Sequence, residues 1–160
     1  MKQIRVVGFC VLLGMALASC APSPGGEQLL GNEAPNFTLP DLAGNKVELA
    51  SIVGEKPTML VFWATWCPSC NEEIPILNQW SERYPHLQIL AVNVEESGNR
   101  VRAFAKKKQI RYPVLLDEKG EAAQLYGLVG IPASVLLAKG GRVIYYGFSL
   151  PANVEKLISQ

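Results

Sequence analysis

Cys67 and Cys70 stand two residues apart, with Pro68 and Ser69 between them. At that spacing two sulfurs can close and reopen an internal disulfide, a two-electron couple. The neighbouring sequence says where the pair sits. Residues 58–63 read TMLVFW, a short apolar run rich in strand formers. After Cys70, residues Ile74, Leu77 and Tyr84 fall on one helical face. A strand-to-helix switch at the motif sets the first sulfur over the N–H groups that open a helix, and these favour a thiolate. Pro68 at the first helical position leaves the following N–H groups free to point at it. Cys67 is therefore expected to attack a substrate disulfide, and Cys70 to resolve the resulting mixed disulfide.

The elements around the motif alternate. Phe37, Leu39 and Leu42 suggest a short edge strand limited by Pro35 and Pro40, with a return strand at 47–49 after the Ala43-Gly44-Asn45 turn. The core strand at 58–64 leads through the motif into a helix that Pro85 stops. Residues 87–94 (LQILAVNV) are a second buried strand, and Val101, Phe104, Ala105 and Lys108 mark a helix. Residues 113–117 are a third core strand, and 121–126 a short helix closed by Gly127. Strands at 134–138 and 143–148 form a hairpin across Lys139-Gly140-Gly141-Arg142, and Pro151 is expected to open a last helix over 152–158. This order predicts an α/β fold, a mixed central sheet with helices on both faces.

With 160 residues, 49% of them hydrophobic, and a formal charge of +1, the chain supports one core and no nucleic-acid partner. Its first residues read differently. Lys2 and Arg5 precede an apolar stretch at 6–17 that is too short to span a bilayer. Leu17-Ala18-Ser19-Cys20 follows and resembles the lipobox of bacterial lipoproteins. That likeness implies a signal peptide over 1–19, acylation of Cys20, and a membrane-anchored place in the bacterial cell envelope. An ordinary secretory signal or an uncleaved anchor is the alternative. Residues 20–31, with APSPGG at 21–26, are expected to be a flexible tether, and 32–160 the folded domain. On this reading Cys10 leaves with the signal and Cys20 carries lipid. Of four cysteines only Cys67 and Cys70 then remain as thiols, too few for a disulfide-stapled scaffold.

The chain resembles the thioredoxin-like proteins of the TlpA/ResA type within the redoxin superfamily. Ala34-Pro35-Asn36-Phe37-Thr38-Leu39, the run from Phe62 to Cys70, Glu73 with Pro75, and Gly130-Ile131-Pro132-Ala133-Ser134 carry the likeness. It implies a thioredoxin-like fold with an N-terminal β extension and an extra helix and strand at about 99–117. It also implies a membrane-tethered thiol–disulfide oxidoreductase whose only redox group is the Cys67–Cys70 couple, with no metal and no other cofactor. The implied partners are exported proteins with disulfides, a membrane electron donor and, in much of the family, apocytochrome c before haem attachment.

The same likeness assigns further residues. Pro132 is expected to be a cis-proline, and Ile131 to offer its backbone to a substrate strand. Trp66 and Pro68 are expected to contact substrate beside the sulfur, whereas Trp63 belongs to the core. Thioredoxins bury an Asp six residues before the first cysteine, and here that residue is Val61. Glu73, one turn beyond Cys70, is the acid placed to tune the cysteines and to exchange a proton with Cys70; the alternative is a solvent-facing first-turn carboxylate, as Glu72 is expected to be.

Rival chemistries fit the residues less well. A metal site lacks further ligands, and a c-type haem site needs His where Asn71 stands. A peroxiredoxin-like thiol peroxidase would carry Thr and Pro where Ala64 and Leu60 are found. A copper-handling thiol lipoprotein would need Met or His near Cys67.

Overall fold

Strand β3 (Thr58–Trp63) is buried along its whole length because it lies at the centre of a five-stranded sheet ordered β5-β4-β3-β6-β7. The computed structural model describes residues 26–159. Strands β4 (Gln88–Val94) and β5 (Val114–Asp117) run parallel to β3 on one side. Strand β6 (Ala133–Leu137) runs antiparallel on the other side and pairs with β7 (Val143–Gly147). A separate antiparallel pair, β1 (Thr38–Pro40) with β2 (Lys46–Glu48), is the N-terminal β extension, and Asp41 bridges it to Leu115 of β5.

Alternation along β3 divides the core. Met59, Val61 and Trp63 face helices α1 (Pro68–Arg83), α2 (Gly98–Lys108) and α4 (Val154–Ile158). Leu60 and Phe62 face α3 (Glu121–Leu125), Tyr126 and the N-terminal segment. Helix α1 buries Cys70, Ile74 and Leu77 at helical spacing, and burying the two aliphatic side chains contributes about 2 kcal/mol each. Helix α2 and strand β5 supply the expected extra helix and strand. The fold is thioredoxin-like, a mixed sheet covered on both faces.

Two expectations need correction. The tether does not extend to residue 31. Gly26–Leu29 forms a 3₁₀ turn, Gly31 N–H donates to Val143 O at 2.9 Å, and Val143 N–H donates to Asn32 O at 2.9 Å. A Cβ on Gly26 would lie 1.7 Å from Cζ of Tyr146, so the chain is packed on β7 from Gly26 onward. The last helix starts at Val154 with Asn153 before it, which leaves Pro151 outside the helix. The expected signal peptide, with Cys10, and Cys20 lie outside the described residues, among which no helix is long and apolar enough to cross a membrane.

Candidate active site

Register brings the site together at one end of the sheet. Phe62 of β3 pairs with Ala133 of β6, so the residue before Ala133 lies where β3 ends and the cysteine loop begins. That residue is Pro132, and the Ile131–Pro132 peptide is cis. Trp63 pairs with Asn93, which aligns the end of β4 with the same loop.

The loop is short and tightly turned. Cys67 N–H donates to Ala64 O at 3.2 Å, and Cys67 has extended backbone angles (φ −86°, ψ 113°) as the residue capping α1. Pro68 occupies the first turn, where its missing N–H costs no helical hydrogen bond. Cys70 N–H then donates to Cys67 Sγ at 3.2 Å, the cap interaction expected of a sulfur at a helix N-terminus. The two cysteines are joined as a disulfide with Cα atoms 5.3 Å apart, and both are buried. Trp66, by contrast, is 64% exposed directly before Cys67.

Beside Trp66 runs an open groove of about 570 Å³, lined by Val94, Glu95, Leu128, Gly130 and Ile131 among others. Of the residues expected to meet substrate, Trp66 and Ile131 share this groove, Pro132 follows directly, and Pro68 is exposed at the start of α1.

Glu73 is half-buried on α1, not solvent-facing like Glu72. Burial pushes its carboxyl above the usual range, and only a backbone hydrogen bond from Leu150 opposes that. One of its carboxylate oxygens, Oε2, is buried without a hydrogen-bond partner among the described residues. Glu73 in turn contributes, after burial, to raising the Tyr112 hydroxyl. At the position of the thioredoxin Asp, Val61 is buried and faces Ser134 across the β3–β6 pair.

One group was not singled out from sequence. Glu96, just past β4, is buried and accepts from the backbone N–H and the hydroxyl of Thr65, each at 2.6 Å. Asn93 Nδ2 donates to it at 2.9 Å, and Arg100 pairs with it at 3.0 Å. Burial alone would raise the Glu96 carboxyl, but these hydrogen bonds and the Arg100 charge outweigh burial and hold it below the usual range. Arg100 also donates to Thr65 Oγ1 at 3.0 Å, and Asn71 Nδ2 to Thr65 O at 3.3 Å. Thr65 is thus fixed from three sides, two residues before Cys67.

A helix-capping disulfide presented at the end of a thioredoxin-like sheet performs sulfur exchange, and the molecule is a thiol–disulfide oxidoreductase. The chain belongs to the AhpC/TSA family, whose sequence profile matches residues 30–146. Over 117 residues it is 38% identical to the thiol–disulfide oxidoreductase ResA of Bacillus thuringiensis subsp. konkukian, covering 72% of this chain and 67% of that one. The thioredoxin domain of a Bacteroides vulgatus thiol–disulfide oxidoreductase superposes with a TM-score of 0.72 at 25% identity, covering 81% of this chain and 97% of the other. A secreted Mycobacterium tuberculosis disulfide oxidoreductase, described as homologous to DsbE, gives 0.65 at 26% identity, with coverage of 77% and 92%.

Proposed function

We propose that this protein is a reductant of disulfides in exported proteins, held to the membrane of the cell envelope by a lipid on Cys20. The Cys67–Cys70 couple works without metal or other cofactor. The observation that carries the reading is the Cys70 N–H aimed at Cys67 Sγ at a helix N-terminus, beside the exposed Trp66 and the groove. That donor stabilises the thiolate at Cys67 once the pair is reduced. The Cys67 thiolate attacks one sulfur of the substrate disulfide, and the other sulfur leaves as a thiolate. The Cys70 thiolate then attacks Cys67 Sγ, frees the second substrate thiolate and closes the disulfide. Two electrons pass to the substrate, and a membrane dithiol donor restores them.

Apocytochrome c, whose Cys-x-x-Cys-His pair must be reduced before haem attachment, is the substrate that the ResA likeness suggests. The secreted relative supports an extracytoplasmic location. Glu73 serves as the proton acceptor for Cys70, supported by its burial and its unpartnered oxygen. Trp66, Pro68, Ile131 and Pro132 form the substrate-facing surface.

Insulin reduction with dithiothreitol as donor tests the reaction. Cys67→Ser abolishes turnover, and Cys70→Ser accumulates mixed disulfides. The potential of the couple tests its direction. A value near the roughly −270 mV of thioredoxin marks a reductant, and one near about −120 mV would make the protein an oxidant instead.

A further inference from the structure

We propose that Glu95 is a specificity residue. Its carboxylate selects substrate segments that carry a lysine or arginine close to the cysteine under attack. The proposal rests on the disulfide-exchange reading above and adds to it the chemical class of the segment that the groove accepts.

Glu95 has a left-handed backbone, φ 56°, a conformation that residues other than Gly, Asn and Asp adopt at a cost. The kink itself has a structural reason. It breaks the alternation of the extended chain so that Asn93 and Glu96, three residues apart, meet at 2.9 Å and hold Thr65 together. Glycine would supply that kink without strain, so the kink does not account for a glutamate side chain. Strained positions of this kind gather at functional sites.

The side chain has a defined place. A Cβ built on Gly120 would lie 2.8 Å from Glu95 Oε1 and 3.2 Å from its Cγ, so the carboxylate rests over a residue that has no side chain. It lies in the groove beside Trp66 and Ile131. Among the described residues none of the ion pairs uses Glu95, and it is the one charged side chain lining the groove. Its neighbour Glu96 is already neutralised by Arg100, so the uncompensated negative charge at this mouth belongs to Glu95.

The rest of the groove suits the same occupant. Trp66, Leu128 and Ile131 give an apolar surface for the methylene stem of a lysine or arginine, whose cationic head would reach the carboxylate at the rim. The Glu96–Thr65 hydrogen bonds tie the end of β4 to the cysteine loop, so the chain neighbours of that pair, Glu95 and Trp66, line one groove. A segment that lies in this groove against Trp66, the residue next to Cys67, meets this charge.

The test uses the reduced full-chain protein and three peptide disulfides with thionitrobenzoate as the leaving thiol. The peptides differ only in bearing Lys, Gln or Glu on both sides of the cysteine. The expected result is a second-order rate constant about tenfold higher for the Lys than for the Glu peptide at low ionic strength, a ratio that shrinks as salt is added. In Glu95→Gln the ratio falls toward unity, and in Glu95→Lys it inverts. Glu95→Gly, which keeps the kink, loses the preference as Gln does and so separates charge from backbone. Equal constants in the wild type, or a preference that persists in both Glu95→Gln and Glu95→Gly, would overturn the proposal. If the Gln peptide is not reduced at all, disulfide exchange has failed and the specificity proposal falls with it, which distinguishes the two failures.

Discussion

Glu96 accepts both the backbone N–H and the hydroxyl of Thr65 at 2.6 Å, so a carboxylate at the end of one strand fixes the loop that leaves another. The pairing crosses 31 residues of sequence and anchors the chain two residues before the attacking sulfur. It makes Glu96 a positioning residue, acting on Cys67 through Thr65 and never touching the sulfur.

Replacing Glu96 by Ala removes a buried, paired carboxylate and leaves Arg100, Asn93 and the Thr65 N–H facing a void. The expected loss is about 3 kcal/mol of stability, read by chemical denaturation. Glu96→Gln keeps one acceptor but turns an amide toward a donor. It should leave the protein folded while slowing attack on a peptide disulfide roughly tenfold, with a lower thiol pKa at Cys67 because a negative charge is lost and Arg100 is left unneutralised. An unchanged thiol titration would reduce Glu96 to a packing role.

The same carboxylate gives an acid dependence. Its folded pKa lies below the usual 4.5, so the unfolded chain binds its proton more readily. Glu96 therefore adds stability above the usual value and loses it as the pH falls through the folded one. Thermal unfolding of the wild type against Glu96→Gln should show a gap that is constant near neutrality and narrows as the pH falls below the usual carboxylate value.

Glu73 has the opposite sign. Its folded pKa is raised above 4.5, so its contribution to stability falls as the pH rises through that raised value. Glu73→Gln should gain unfolding temperature above this window and none below it. Loss of the like charge should also lower the cysteine pKa, and decay of the mixed disulfide should slow if Glu73 takes the Cys70 proton. Superimposable thiolate titrations and equal decay rates would remove Glu73 from the mechanism.

Anchoring is tested at Cys20. The wild type should partition into detergent and take up labelled fatty acid, and Cys20→Ala should lose both. A wild type that stays in the aqueous phase without label would favour an ordinary secretory signal.

The sequence reveals most clearly what depends on local pattern. The apolar run at Thr58–Trp63, the face made by Ile74 and Leu77, and the glycine-bearing hairpin between β6 and β7 all follow from spacing. The cis peptide before Pro132 followed from family likeness, since no local pattern specifies it. Glu96 was hidden because a buried carboxylate and an exposed one look alike until the partner is known, and Thr65 lies on another strand's loop. The one available signal was a pair of acidic residues, Glu95 and Glu96, directly after the apolar residues of β4. Pro151 misled for a related reason. Its fixed φ suits a helix start but suits the loop before Asn153 equally well.

The docking of Gly26–Leu29 on β7 also has a mechanical consequence. Only five residues separate Cys20 from Gly26, and the six extended steps between them reach about 20 Å. A lipid on Cys20 would therefore keep the domain on a short leash. A leash running to Asn32 would reach roughly twice as far. Substrates and electron donor must then come to the sulfurs within a thin layer above the bilayer, and lengthening the 21–25 segment would widen the zone the enzyme patrols.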